Sequence, residues 1–557
     1  MATSSDGAFR IPSHRDDDAV SARLAAWSRD RVGARIWSKD PTVWFTPPRP
    51  ETADRLGWLD LPTTMSSRIP ELREFAAGVR DEGFRRAVVL GMGGSSLAPD
   101  VFAHLFEGGK PTLRLSVLDS THPESVRHVT EEGDLAHTLF LVSSKSGTTT
   151  EPLAFYRYFA AKLGASSSDA VGRQFVAITD PGTPLEALAR SRRFRTTFSS
   201  PPDVGGRYSA LTVFGLVPAA LVGVDLDRLL SGARAMADRC GPEVAPASNP
   251  ALRLGAALGE LGRAGRDKIT FWASSAIGAY PIWVEQLIAE STGKEGRGLV
   301  PVVGERPRAA SFYGRDRVVV NLTVGDDRRG TAALDELVDA GIPVVEIAWG
   351  DALSIGAECF RWELAIAAAG QVLGIHPFDQ PDVQLAKDLA RQALARGRAG
   401  ETEALPNESR PSDVGPLVAA AASGEYVAIQ AYLAPTPETD RALTSVRDAI
   451  GDRLRVPTTV GYGPRFLHST GQLHKGGPPS GQFLQIVDPA LPDLPIPDES
   501  FTFGTLIHAQ SSGDATALAQ RDRRVVTLTA PAASTAWLGE LARWIGRDSA
   551  RPSETEG

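Results

Sequence analysis

From residue 85 onward, short β-branched runs recur roughly every 25–35 residues, at 86–90, 113–118, 138–142 and 175–178, with apolar positions at helical spacing between them. Strands alternating with helices predict βαβ units on a parallel sheet. A second series at 268–272, 318–324 and 343–347 repeats the theme and closes on a long helix over 382–396. Beyond it, runs near 426–432, 483–487 and 525–528 predict a third α/β region. The stretch 399–416 is polar and rich in turn residues, and is placed as a linker. Residues before 85 read differently: helical spacing over 19–30, then Pro47, Pro48 and Pro50, which together predict an irregular helical arm. The expected class is α/β, divided as an arm (1–84), two parallel-sheet domains (85–245 and 246–400) and a C-terminal α/β region (401–557).

The length of 557 residues exceeds a single core, since domains run about 100–200 residues, and fits three or four packed units. The most apolar run, 213–224, holds Gly215 and Pro218 and is too short to span a bilayer, so it reads as a buried helix. A net charge of −8 argues against a nucleic-acid surface and requires that any anionic ligand be held by a local cluster of donors. The two cysteines, Cys240 and Cys359, are isolated, which excludes a disulfide framework and a cysteine metal site. The first residues lack the apolar stretch of a signal peptide, and Asp16, Asp17 and Asp18 follow, so a cytoplasmic location is expected.

Candidate chemistry gathers in five segments. Ser143 to Glu151 leads from a strand into a helix through hydroxyls, a lysine and a glycine, a composition suited to phosphate, because a first helical turn presents unpaired N–H groups that Ser and Thr hydroxyls supplement. The loop from Gly91 to Asp100 ends another strand of the same sheet, where open α/β sheets bind ligands. Gly91, Gly93 and Asp119 admit a dinucleotide reading, but Ser96 stands where its third glycine belongs. In Gly205-Gly206-Arg207, two glycines allow close backbone approach and the arginine can stabilise an oxyanion. Gln286 and Glu290 fall on one helical face with Gly293 as a stop, and Glu290 is a candidate base for a proton beside a carbonyl. Finally, 378–387 carries Gln380 and Lys387, one of only eight lysines.

Taken in order, Gly91 to Pro99, Asp119 to His122, Ser144 to Thr149, Gly205 to Ser209, Glu290 to Lys294 and Phe378 to Lys387 resemble the glucose-6-phosphate isomerase family, built from paired sugar-isomerase domains. The resemblance covers about 85–400, and the region beyond is similar to the isomerase half of fused transaldolase/glucose-6-phosphate isomerase proteins. The transaldolase half is not expected here, as 84 residues are too few for a barrel of about 250. The resemblance implies an aldose–ketose isomerase of glycolysis and gluconeogenesis that interconverts glucose 6-phosphate and fructose 6-phosphate through a cis-enediol(ate). It implies that Gly94, Ser95, Ser144, Ser146 and Thr149 hold the sugar phosphate and hydroxyls, with Lys145 behind the loop. Arg207 would stabilise the intermediate, Glu290 would shuttle the proton between C2 and C1, Gln286 and Gln380 would line the pocket, and Lys387 would assist at the sugar ring. No metal or organic cofactor is called for, because the arginine takes the Lewis-acid role.

The family's ring-opening histidine sits in a Gly-Gln-His setting between the glutamate and lysine segments, where this chain has only His376. A related string runs from His468 to Gly477, and His474 is assigned as the ring-opening acid/base, with His468 and His376 behind it. That assignment requires the C-terminal region to fold back over the pocket, in its own chain or in a partner of a homodimer. Two rival readings are a phosphosugar sensor without catalysis and an NAD-dependent dehydrogenase. Mannose 6-phosphate is a candidate second substrate, and neither a nucleic acid nor a membrane is an expected partner.

Overall fold

The computed structural model describes residues 4–106, 112–164, 172–327, 330–398 and 407–547. Its strands are β1 (Ala8–Arg10), β2 (Arg86–Leu90), β3 (Arg114–Leu118), β4 (Thr138–Ser143), β5 (Phe175–Thr179), β6 (Thr196–Ser199), β7 (Lys268–Ala273), β8 (Val300–Val302), β9 (Arg317–Val324), β10 (Val344–Trp349), β11 (Tyr426–Tyr432), β12 (Thr458–Tyr462), β13 (Gly481–Val487) and β14 (Arg524–Thr529). They form three sheets, in the orders β3-β2-β4-β5-β6, β1-β10-β9-β7-β8 and β12-β11-β13-β14. Every pairing of these strands is parallel except that of β1, which runs antiparallel to β10 with Phe9 opposite Val345. The α/β class with tandem parallel sheets is therefore the one the hydrophobic runs predicted.

Continuous burial explains why these strands were legible. All of β2, β4 and β5 is buried, as expected for parallel strands covered on both faces. The helix Val213–Leu221 is buried at every position, and Ile355–Leu373 at all but one of 19, so both lie inside the core rather than upon it. Four strands were not foreseen: β1, β6, β8 and β12 have only three to five residues and lie at sheet edges, and glycine interrupts β12. The arm is helical over His14–Arg29 yet also supplies β1, and it is pinned to Ile355–Leu373 by indole hydrogen bonds from Trp27 to Gln371 (3.0 Å) and from Trp44 to the Ala367 carbonyl (2.8 Å). The linker placed at 399–416 extends too far. Its first part lies outside the described residues, but Ser409 N–H bonds the Thr529 carbonyl at 2.8 Å and Val414 is buried in the core beside the third sheet.

Two consequences of this topology position the site. The chain passes from β2 to β3 on one side and then to β4 on the other, so a crevice opens at the carboxyl ends of β2 and β4, with Leu90 opposite Val142. The loops that follow these strands, at Gly91 and Ser144, flank it. The third sheet points the end of β12 towards the same crevice, and the turn Arg465–His468 follows that strand directly. No described helix is long and apolar enough to cross a membrane.

Candidate active site

Arg207 and Glu290 meet at 3.0 Å between Nη1 and the carboxylate, with the arginine side chain 2% and the glutamate 13% exposed. Glycine makes the approach feasible: a Cβ on Gly94 would lie 2.0 Å from the Gly206 carbonyl, so the loop after β2 can touch the Gly205-Gly206-Arg207 turn only with glycine at position 94. The guanidinium is engaged on every nitrogen. Nε donates to Ser291 Oγ (2.9 Å), Nη1 to Gln380 Oε1 (3.0 Å), and Nη2 to the carbonyls of Pro377 (3.2 Å) and Asp379 (2.8 Å). Glu290 lies near the end of the helix Tyr280–Thr292, and Gln286, one turn earlier, donates to it at 3.1 Å. Four expected residues, Arg207, Glu290, Gln286 and Gln380, thus form one cluster, with Arg207 and Gln286 buried, Glu290 half-buried and Gln380 exposed at its rim. Lys294 stands beside it, tied to Asp379 at 2.8 Å and to the His376 carbonyl, and burial with the repulsion of Arg207 pushes its ammonium down to about 7.

The phosphate-type loop lies on a cavity of about 250 Å3 whose walls include Ser146, Thr149, Lys387 and His468. Gly147 has φ +66, and any Cβ there would strike Leu185 N at 2.8 Å, so the loop's tight return depends on glycine. Ser144 Oγ bonds Thr149 Oγ1 at 2.9 Å and accepts from Gly147 N–H, bracing the loop from within. Lys145 turns the other way, to Asp180 and the Pro202 carbonyl, behind the loop. Gly94 and Ser95 do not line this cavity; they back the Arg207 turn.

His468 joins the two halves. Its carbonyl accepts from Gln286 Nε2 at 2.9 Å, and a Cβ on Gly93 would meet it at 2.6 Å, so the C-terminal turn seats directly on the glycine loop. Its ring Nε2 bonds Glu151 Oε1 at 3.1 Å. Burial would raise the Glu151 carboxyl, but the facing histidine outweighs it and holds the group below its ordinary value. An ionised carboxylate only accepts, so Nε2 is the donor of this hydrogen bond and Nδ1 is the ring nitrogen left to face the cavity. Glu151 was read as part of the loop and not as a site residue; only its place directly after Thr150, in the first turn of the helix Thr150–Lys162, hinted at more.

The other two histidines sit elsewhere. His474, the first choice, is on the buried helix Gly471–Gly476, packed on Phe466 and Phe483, with Nδ1 taking Gln430 Nε2 at 3.2 Å. Burial, with Lys475 and Arg523 nearby, drives its pKa well below the usual range and leaves it neutral. It does not line the cavity. His376 Nδ1 accepts from the backbone of Phe378 (3.1 Å) and Asp379 (3.3 Å) while Nε2 donates to the Pro50 carbonyl, bracing the arm against the Gln380 loop.

The turn that carries His468 is anchored by Arg465, which pairs with Asp100 at 2.6 Å and Asp119 at 3.4 Å. Asp119 is thereby occupied and does not face a ribose. Glu285 shares this region, and burial pushes its carboxyl up to about 8 against the pull of Arg465. The folded value lies above the ordinary 4.5, so the stability that goes with the protonated acid is whole below about pH 4.5 and is lost as the pH rises to about 8. Glu285→Gln keeps the neutral shape, and calorimetry is expected to show an unchanged Tm at pH 5 and a raised Tm at pH 9; equal shifts at both would overturn the assignment.

A family model described as phosphoglucose isomerase matches residues 74–296, the span that holds the glycine loop, the phosphate-type loop, Arg207 and Glu290. Glucose-6-phosphate isomerase of Heliobacterium modesticaldum is 31% identical over 385 residues, covering 59% of this chain and 84% of that protein. Among solved structures, a hypothetical protein of Thermus thermophilus matches with TM-score 0.59 at 25% identity, over 70% of this chain and all of that one. A glucose-6-phosphate isomerase of Chlamydia trachomatis shares the fold, with TM-score 0.50 at 23% identity over 66% of this chain and 78% of that one. On these matches, the chain belongs to the glucose-6-phosphate isomerase family and is an aldose–ketose isomerase.

Proposed function

We propose that this isomerase interconverts glucose 6-phosphate and fructose 6-phosphate through a cis-enediol(ate), with Glu290 moving the proton between C2 and C1. The observation that carries the reading is the Arg207–Glu290 contact: a carboxylate base and a fixed cation share one desolvated point, so the oxyanion that forms as the proton leaves is met by charge already in place. Ser146 and Thr149, with Ser144 behind them, would take the phosphate, and Lys387 faces the same space. His468, rather than His474, would open the sugar ring, taking the anomeric hydroxyl proton at Nδ1 as the C1–O5 bond breaks and passing it on to O5, while Glu151 steadies the transient imidazolium. In this division of labour the arm (1–84) braces two sugar-isomerase domains (85–245 and 246–400), and 401–557 serves to deliver His468.

The test is turnover of fructose 6-phosphate read through coupled glucose-6-phosphate dehydrogenase, with mannose 6-phosphate as the second substrate. Another ketose phosphate turning over while fructose 6-phosphate does not would reassign the substrate. His468→Gln retains a donor for Glu151 and loses the base, so turnover should fall about 10²-fold and catalysed anomer exchange, followed by NMR exchange spectroscopy, should vanish. Native exchange rates in that variant would remove His468 from the ring-opening role.

A further inference from the structure

Gln510 lies on the helix Phe503–Gln520 of the C-terminal region and is 5% exposed. Its Nε2 donates to Glu151 Oε1 at 2.7 Å, the same oxygen that receives the His468 ring at 3.1 Å. Its Oε1 accepts from Thr121 Oγ1 at 2.7 Å, just past the end of β3. The carboxylate fixes the amide orientation, because it cannot donate and must face Nε2, and the threonine hydroxyl then donates to the carbonyl side. A buried chain, Thr121 to Gln510 to Glu151 to His468, therefore runs from the first sheet through the C-terminal region and back to the cavity wall.

We propose that Gln510 is a positioning residue for the ring-opening step, holding the Glu151 carboxylate in line with His468 and sharing its negative charge. The inference rests on the reading of His468 as the ring-opening group. A neutral donor on the shared oxygen draws off electron density that would otherwise serve the imidazole alone, and in a low-dielectric setting this tunes how readily the ring takes a proton. Without it, Glu151 offers its whole charge to His468, and the ring becomes the stronger base. The other charged groups facing the pair are Lys387 and Lys475 on the cavity wall, Arg391 beside them, and Asp119, which feels the His468 charge from the end of β3. None of these contacts the Glu151 oxygen as Gln510 does.

Gln510→Met keeps the bulk and removes the donor. Its acidic limb in the kcat/KM profile, where His468 must be neutral to accept the ring proton, is expected to move up by about one pH unit. Thr121→Val, close to isosteric, leaves the amide on Glu151 but removes the hydroxyl that anchors its oxygen, and should move the limb in the same direction by less. The His468 ring is followed separately by NMR titration, a readout that does not depend on turnover. A raised ring pKa in both variants supports the proposal; the same rise with anomer exchange intact in His468→Gln would overturn only the part that ties Gln510 to ring opening. Ring titrations that superimpose on the native one, in variants that fold, would overturn it, as would a uniform loss of turnover with an unmoved limb.

Discussion

Glu290→Gln is expected to lower isomerisation about 10⁴-fold, the upper end of what a positioned general base supplies, while sugar-phosphate binding survives. The size follows from the reaction: every turnover moves a proton off carbon, and an amide in place of the carboxylate has no basicity for that step. The architecture should tolerate the change, because a glutamine oxygen can still accept from Arg207 Nη1 and the helix Tyr280–Thr292 is packed independently of the carboxylate. Binding is separable, since the phosphate-type hydroxyls stand on a different loop, after β4. Thermal-shift titration with fructose 6-phosphate reads it directly: ligand at about 100 times its dissociation constant adds about 2.7 kcal/mol to native and variant alike. Activity within tenfold of native would show that the proton moves through some other group.

What the sequence disclosed, and what it withheld, follows from the range of the interactions involved. Central strands such as β2 and β4 were legible because burial on both faces forces continuous apolar runs. Arg207 and Glu290 stood out because glycine pairs and helix-face spacing are local signals. The choice between His468 and His474 was not local. Both lie in one glycine-rich string, and only the path of the chain after β12 sends the first to Glu151 and the second to Gln430. Glu151 and Gln510 were hidden for the same reason, since the residues of that pair lie 359 positions apart. The purpose of Gln472 was equally invisible: buried, it bonds the Gly293 carbonyl at 3.0 Å and Asp382 Oδ2 at 2.8 Å, clasping the helix of Glu290 to the helix of Lys387. No periodicity records a contact that joins three parts of a chain.

Arg207→Lys should lower kcat about 10²–10³-fold, the loss of some 2.7–4 kcal/mol that follows removal of one donor to a developing oxyanion, with KM little changed. Charge is conserved in that variant, so the loss measures geometry. A lysine has one ammonium where the native side chain uses three nitrogens to reach Ser291, Gln380, Glu290 and the carbonyls of Pro377 and Asp379. Arg207→Met goes further, leaving Glu290 without its cation in a nearly closed site, and breaking a buried pair in this way costs about 3–5 kcal/mol of stability. Its melting temperature should fall well below that of Arg207→Lys, and the limb of the rate profile that reports the base should rise, because an unpaired buried carboxylate holds its proton to higher pH. Matching melting temperatures in the two variants would show that the pair contributes nothing to folding. Lys294 does not take over the vacated role. Removing Arg207 relieves the repulsion that helps depress its ammonium, but Nζ stays tied to Asp379 and the His376 carbonyl, so the restored charge is anchored to the loop instead of the reacting oxygen.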